Sequence, residues 1–485
     1  MNLLIFPNQL FEIKYFPKDI TVKKVILLED PVYFGFREKT LNFNKLKLVL
    51  HRASMRYYMD YLKKNKFSVE YIELNKLKSY NYSFLTKMSG DIGYFEVNDH
   101  LLQKRLDKYL KKVKNLRVLN NPNFLVSIEA LEKYHTKKGS KNKFFHKNFY
   151  DFMKSELNIL KGEKSYDTEN RKSLPKSIKI PDIPKKTKNK YELEAIKYIN
   201  KQFPKNYGSS EDLLFPVTHS ESKKWLQHFL KKKFKNYGDY QDAIFDTEGF
   251  LFHSNISPML NCGLLNPDLV VSEVTKYYKA NKIKINNYEG FIRQILGWRE
   301  YQRYCYLFAY KELTTPNYFN HKKKLNSKWY TGETGIRPID DSIKFAFKTG
   351  YLHHIIRLMI MSNFMNLCRL DPYECYKWFM EFAVDSYDWV MIQNVYSMGQ
   401  WADGGLTMRK PYISSDNYVV NMSNYKREDW GEKWNALYYL FISEHEDKLK
   451  KTPYARNLVH WKKKSSEEQK KIIQIARKEI KSLTK

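Results

Sequence analysis

Tyr351–Trp401 reads YLHHIIRLMIMSNFMNLCRLDPYECYKWFMEFAVDSYDWVMIQNVYSMGQW. Leu352, Ile355, Ile356, Met359, Ile360 and Phe364 recur at near-helical spacing, which predicts a buried helix. His353 and Arg357 lie four residues apart, and His354 and Arg357 three, so this helix would carry all three on one side. Two histidines and an arginine beside so apolar a run need partners, because an unpaired buried polar group is costly. On these residues alone two readings stay open: a core helix with a salt-bridged end, or a site whose titrations are perturbed for function.

Outward from this stretch, 485 residues suffice for two or three domains with sizeable cores. An aromatic content of 16% argues against wholesale disorder. The formal net charge of +32, from 85 basic and 53 acidic residues, favours a polyanionic partner. Nucleic acid is favoured over a membrane surface, since no long amphipathic basic helix stands out. Part of the excess follows simply from the abundance of Lys, Asn, Ile and Tyr. Cys262, Cys305, Cys368 and Cys375 form no CxxC pair and are expected as reduced, buried thiols, with no metal site. No run of about twenty apolar residues is present, so no membrane span is expected. MNLLIFPNQLF is too short and is broken by Pro7, which argues against a signal peptide. The expectation is a soluble intracellular protein.

Residues 1–130 alternate strand-like and helix-like patterns. Leu3–Phe6, Lys24–Leu28, Val69–Glu73, Gly93–Val97 and Arg117–Leu119 read as strands, with helical periodicity over Leu46–Lys63 and Leu101–Lys114. Such alternation predicts an α/β domain with a parallel sheet, whose ligands would sit beyond the strand C-termini. No GxGxxG or P-loop is present. Residues 131–215 form a lysine-rich connector. Its basic run Lys137–Lys147, with Phe144 and Phe145 inside it, suits either a solvated surface or a nucleic-acid backbone. Lys176–Lys190, with Pro181 and Pro184, reads as an extended linker. Residues 216–485 are almost wholly helical in pattern and predict a large all-α domain. The tail after Ser465 reads as a short charged helix.

Several positions in the helical region could carry chemistry. In Ser254-Asn255-Ile256-Ser257-Pro258, Ser257 suits an N-cap with Pro258 at the first helical position. Free N–H groups there favour a phosphate, although most such turns only begin helices. Gln294 and Trp298, four apart on FIRQILGWREY, can face one cavity or anchor a core helix.

YLHHIIRLMIMSNF and YDWVMIQNVYSMGQWADGG resemble the flavin pocket of the photolyase–cryptochrome superfamily. Within it they are most similar to the bacterial branch of (6-4) photolyases and iron–sulfur cryptochrome-like proteins. FIRQILGWREY at Phe291–Tyr301, NCGLLNPDLV at Asn261–Val270 and YDTENRKSLP at Tyr166–Pro175 resemble the same branch. The resemblance implies a Rossmann-like antenna domain followed by a helical FAD-binding domain. It places Tyr240, Ser254, Ile256 and Ser257 against the flavin-adenine group. Arg299 would anchor phosphate or flavin, and Gln294 would reach the flavin or the damaged base. Arg357 would pair with Asp385 near flavin N5, with Asn394 approaching N5 itself. This branch separates Asp385 from Asn394 more widely than classical photolyases do.

The resemblance further assigns the role of general acid to His354, with His353 as its helper, and places Trp298 and His354 at the lesion. Gln9, Glu29 and Tyr33 fall where the branch contacts a 6,7-dimethyl-8-ribityllumazine antenna. Here, however, the family's Gly-Asp is Pro7-Asn8 and the loop after Glu29 is shortened. Trp378 matches the branch's inner electron-transfer tryptophan, but Phe379 stands where a tyrosine follows. The distal tryptophan position aligns with Tyr330, so a rerouted electron path is expected. The cluster-binding cysteine positions align with Pro338, Lys426 and Glu432, and a two-cysteine loop is shortened between Tyr425 and Trp434. No iron–sulfur cluster is therefore expected, and Trp430 and Trp434 would fill the space.

The implied activity is light-driven reversal of (6-4) photoproducts in UV-damaged DNA by electron transfer from reduced FAD. A cryptochrome-type blue-light photoreceptor and a cyclobutane-dimer photolyase are the alternatives. A bacterial cytoplasmic monomer, on the nucleoid when bound to DNA, completes the expectation.

Overall fold

The structure is a computed structural model that describes residues 1–77, 79–137, 143–246 and 248–485. Lys138, Gly139, Ser140, Lys141 and Asn142 of the basic run lie outside the described residues. Five strands, β1 (Asn2–Ile5), β2 (Lys24–Leu28), β3 (Ser68–Ile72), β4 (Ile92–Phe95) and β5 (Leu116–Leu119), form one parallel sheet in the order β3-β2-β1-β4-β5. The central β1 buries Leu3, Leu4 and Ile5 completely, as a parallel strand covered on both faces requires. The edge strands β3 and β5 instead alternate exposed and half-buried residues.

The strand order reverses between β1 and β4, which is where a doubly wound sheet opens a crevice beyond its strand ends. Protein fills that crevice here. Gln9 Nε2 donates to the carbonyls of Phe95 and Glu96 at 3.0 and 3.2 Å. Arg303, from the helix Glu300–Thr314 of the helical region, donates to Glu96 Oε2 at 2.6 Å and to the Val126 carbonyl at 2.6 Å. The helical part therefore docks onto the switch point of the sheet. Further bonds join the two parts, among them Leu10 N–H to the Cys262 carbonyl and Asn44 N–H to that of Glu381.

Residues 171–189 form neither helix nor strand, as an extended linker would. Next comes the helix Lys190–Gln202, started by an Asn189–Glu192 capping box. It packs on the sheet's first helix, Lys45–Lys64, where Arg52 pairs with Glu194 at 2.7 Å and lies over the ring of Tyr198. The C-terminal helix corrects the sequence reading. It runs over Ser466–Leu483, and the chain end bridges Thr484 to Leu325. The Leu483 carbonyl accepts the indole N–H of the buried Trp329 at 2.8 Å. Its apolar stripe, with Ala476 and Leu483 fully buried, makes it part of the core. No helix among the described residues is long and apolar enough to cross a membrane. All four cysteines are free and buried, and burial pushes the Cys262 thiol up to about 12.

Candidate functional site

Three helices of the helical region contain π-helical segments: Arg293–Arg299, Ile356–Ser362 and Ile392–Gly399. π-Helix is rare and concentrates at functional sites, because the wider turn re-aims side chains that an α-helix would hide. All three segments wall one cavity of ≈ 690 Å³, a volume ordinary for a cofactor pocket. The second and third segments approach closely at Gly399. A Cβ there would lie 2.6 Å from Ser362 Oγ, so only glycine allows the approach.

Opposite these walls runs the turn Ser254–Ser257, with Asn255 in the left-handed region at φ 53°. The helix after it spans Ser257–Cys262 and is capped by Ile256 without a side-chain bond. Ser257 is thus not the expected N-cap. Its hydroxyl instead donates to Asp385 Oδ2 at 2.6 Å.

Asp385 is the hub of the site. Arg357 Nη2 reaches both its oxygens, at 2.9 and 3.1 Å, while Arg357 Nε donates to the Leu352 carbonyl at 2.6 Å. Asn261 Nδ2 donates to the Asp385 backbone carbonyl at 2.7 Å, and Asn261 Oδ1 accepts from Arg299 Nη1 at 2.5 Å. Arg299 also donates through Nε to the Asn123 carbonyl and lies over the Trp389 ring. Burial, opposed by Glu300, lowers its affinity for its proton to about 10, so it remains a cation.

Buried polar atoms of cavity-lining residues that lack a hydrogen-bond partner among the described residues include Arg299 Nη2, Asn255 Nδ2 and Asn394 Oδ1, besides His253 Nε2 and Arg293 Nε. Asn394 Nδ2 is held by the Val390 carbonyl at 2.8 Å, which fixes the carboxamide and leaves its oxygen as an acceptor. The Arg299 and Asn255 donors, one of them charged, and the Asn394 acceptor suit a ligand carrying an anionic group and an N–H, as FAD does.

The adjacent histidines separate. Tyr351–His353 lie before the helix, which begins at His354, so the expected common face is not formed. His353 is completely buried behind the wall, stacked on His253 with centroids 4.5 Å apart. His354 opens into the cavity. Although its ring is open, it sits in a deep concave wall. That burial, and then the Arg357 guanidinium, hold it down to about 4. His354 is therefore neutral at pH 7, and His353 does not line the site.

Gln294, Trp298 and Ile256 line the cavity. Trp298 is held there by His146 of the connector, stacked at 3.9 Å. Tyr240 does not line it. It packs on Phe252, while Tyr237 and Gln241, four residues apart, take that place. The residues that sequence reasoning missed lie at the mouth. Burial, reinforced by Asp167, raises the Asp242 carboxyl to about 6, and the exposed Arg171 and Lys410 add positive charge. Asp242 lies two residues past Tyr240 and His253 directly before Ser254, so only the fold could select them.

Gln9, Glu29 and Tyr33 are all buried, and none of them lines the ≈ 690 Å³ cavity. Glu29 is fully buried, its carboxylate held by Arg52 at 2.8 and 2.9 Å, Tyr71 Oη at 2.5 Å and Leu74 N–H at 3.0 Å. Gln9 closes the switch-point crevice, and Tyr33 packs edge-on against His51. Trp378 and Tyr330 lie behind the cavity, and Phe379 faces it. Trp430 and Trp434 are buried against each other, and Trp434 also meets Phe364.

Comparison with known proteins bears on this site. Residues 3–215 match the family described as "Deoxyribodipyrimidine photo-lyase-related protein", and residues 291–479 match "FAD binding domain of DNA photolyase". A (6-4) photolyase of Agrobacterium fabrum is 35% identical over 309 residues, a match that covers 61% of this chain and 61% of that protein. The matched region thus spans about three fifths of that relative. An uncharacterised protein of Acanthamoeba polyphaga mimivirus is 62% identical over 93 residues, covering 19% of this chain and 76% of its own. The crystal structure of the Synechocystis cryptochrome covers 99% of this chain and 98% of its own, with a TM-score of 0.57 and 16% identity, a likeness of fold.

Proposed function

Since the chain belongs to the photolyase–cryptochrome superfamily, in its bacterial (6-4) photolyase-like branch, we propose that it is a light-driven DNA photolyase acting on (6-4) pyrimidine–pyrimidone photoproducts. The observation that carries this reading is the single cavity bounded by Arg357–Asp385, Asn394 and Arg299, with His354 open to it. FAD, held there, would supply the electron that light makes available.

The residues supply the rest. Arg357 and Asp385 hold a fixed dipole at the wall, and Ser257 and Asn261 keep the carboxylate in place. Arg299 offers one free donor to an anionic group, and Asn394 offers one acceptor to an N–H. Arg171 and Lys410 at the mouth, with the net charge of +32, attract a phosphate backbone. Flipping a damaged dinucleotide into the cavity costs less than flipping an intact one. His354 then serves as proton donor. Because it is neutral in the free protein, it is charged only when bound phosphate and the negative charge developing on the lesion stabilise the imidazolium.

The antenna is not part of this proposal, because the polar groups of Gln9 and Glu29 are already committed to protein partners. The test is release of FAD from purified protein, followed by blue-light restoration of thymines in an oligonucleotide carrying one (6-4) lesion, against a dark control. Protein that holds FAD but restores no lesion would instead favour a photoreceptor.

A further inference from the structure

Phe379, in the cavity wall, meets the indole of Trp378 edge-on at 5.2 Å. The indole N–H of Trp378 donates at 2.7 Å to the carbonyl of Trp329, the peptide directly before Tyr330. Phe347 touches both side chains, 6.1 Å from Trp378 and 5.9 Å from Tyr330. The phenol of Tyr330 donates at 2.8 Å to Glu381 Oε2. Glu381 is completely buried, three residues after Trp378 on the helix Pro372–Phe382. Its other oxygen accepts the Asn42 N–H at 2.9 Å, and among the described residues it has no ion-pair partner. Tyr207 stacks on Tyr330 at 4.6 Å and 17°. No part of the proposed binding site explains a lone buried carboxylate held against this phenol.

Resting on the reading of the cavity as a light-driven flavin site, and on the electron path that the resemblance places at Trp378 and Tyr330, we propose that Glu381 is the base that takes the proton of Tyr330 when Tyr330 gives an electron to Trp378. A phenol that loses an electron must also lose its proton, and in a buried place only a hydrogen-bonded base can accept it without stranding charge. Trp378, once oxidised by the excited cofactor, takes one electron from Tyr330. The phenolic proton crosses to Glu381 Oε2. A tryptophan cation, a neutral phenol and a carboxylate thereby become a neutral indole, a neutral tyrosyl radical and a carboxylic acid. The three groups carry no net charge before or after, and the separated charges have cancelled. An external thiolate then returns one electron through Tyr207, becoming a thiyl radical, and Glu381 gives the proton back to Tyr330. Phe379 cannot serve as this relay, since it has no ionisable proton.

Flash illumination of the flavin-loaded protein, followed by transient absorption and electron paramagnetic resonance, tests this assignment. Wild type is expected to give a tyrosyl radical whose formation slows in D2O. Tyr330→Phe should leave only a short-lived tryptophanyl radical. Glu381→Gln keeps a carbonyl for the Asn42 N–H but cannot accept a proton, so the tyrosyl yield should fall on the order of tenfold. A tryptophanyl radical alone in wild type, or an undiminished tyrosyl signal in Glu381→Gln, overturns the proposal. Protein without flavin absorption before the flash overturns the reading beneath it, and the proposal with it.

Discussion

His353 and His354 are neighbours in the chain but serve different spaces. His353 stacks on His253 at 4.5 Å inside the protein, and His354 opens into the cavity beside Arg357. The division follows from the helix beginning at His354, which leaves His353 on extended chain.

His354→Ala is expected to lower light-driven (6-4) repair at least roughly 100-fold, the usual contribution of a positioned proton donor, with FAD content unchanged. His353→Phe should keep a ring against His253 and retain most repair. Repair rates and FAD-to-protein ratios of the two variants check this, and equal losses would return His353 to the site.

Asp385→Ala strands the Arg357 guanidinium in a buried wall and removes the acceptor of Ser257. Breaking a buried pair in this way costs about 3–5 kcal/mol. Urea unfolding should show that loss, and the variant should retain little FAD after gel filtration.

Gly399→Ala places a methyl group 2.6 Å from Ser362 Oγ. Overpacking of this kind costs about 1–3 kcal/mol, and Ser362→Gly in the same chain should recover most of it. A double-mutant cycle of thermal melts measures the coupling between the two π-helical segments.

Much of this was legible in the residues. Each of the five strands falls within two residues of its expected place, because runs such as Leu3–Ile5 are buried on both faces and admit no other period. The Arg357–Asp385 pair and the places of Ser254, Arg299 and Asn394 on one cavity agree with the resemblance. The π-helical segments were not legible, since apolar residues three and four apart fit α- and π-turns alike. Tyr240 failed for a similar reason: Tyr237 and Gln241 lie on the same short stretch, and packing on Phe252 decides which side chain faces the cavity. The burial of Gln9 and Glu29 among protein partners was not legible either, because a strand-end motif does not reveal that Arg303, some 200 residues on, reaches Glu96 at the crevice.

Stability should fall on acidification. Burial holds His51, His146 and His253 down to about 3, and His354 to about 4, against an ordinary value near 6.5. The unfolded chain therefore binds protons below about 6.5 that the folded chain refuses, and their contribution is lost as pH drops toward 3. Burial raises Asp30 and Asp242 to about 6 and Glu300 to about 7, which works the other way. With His445 also held down to about 3, the imidazoles so lowered outnumber the carboxyls so raised, which leaves a net loss. Denaturation curves at pH 7, 6 and 5 check the slope. His146→Phe, which keeps a ring against Trp298, should flatten it by one proton.

The most direct measurement compares two oligonucleotides, one with a single (6-4) photoproduct and one with a single cyclobutane dimer, under blue light with fully reduced protein. Restoration of the (6-4) substrate alone is expected. Restoration of the cyclobutane dimer alone, or of neither, would contradict the assignment of this cavity to (6-4) repair.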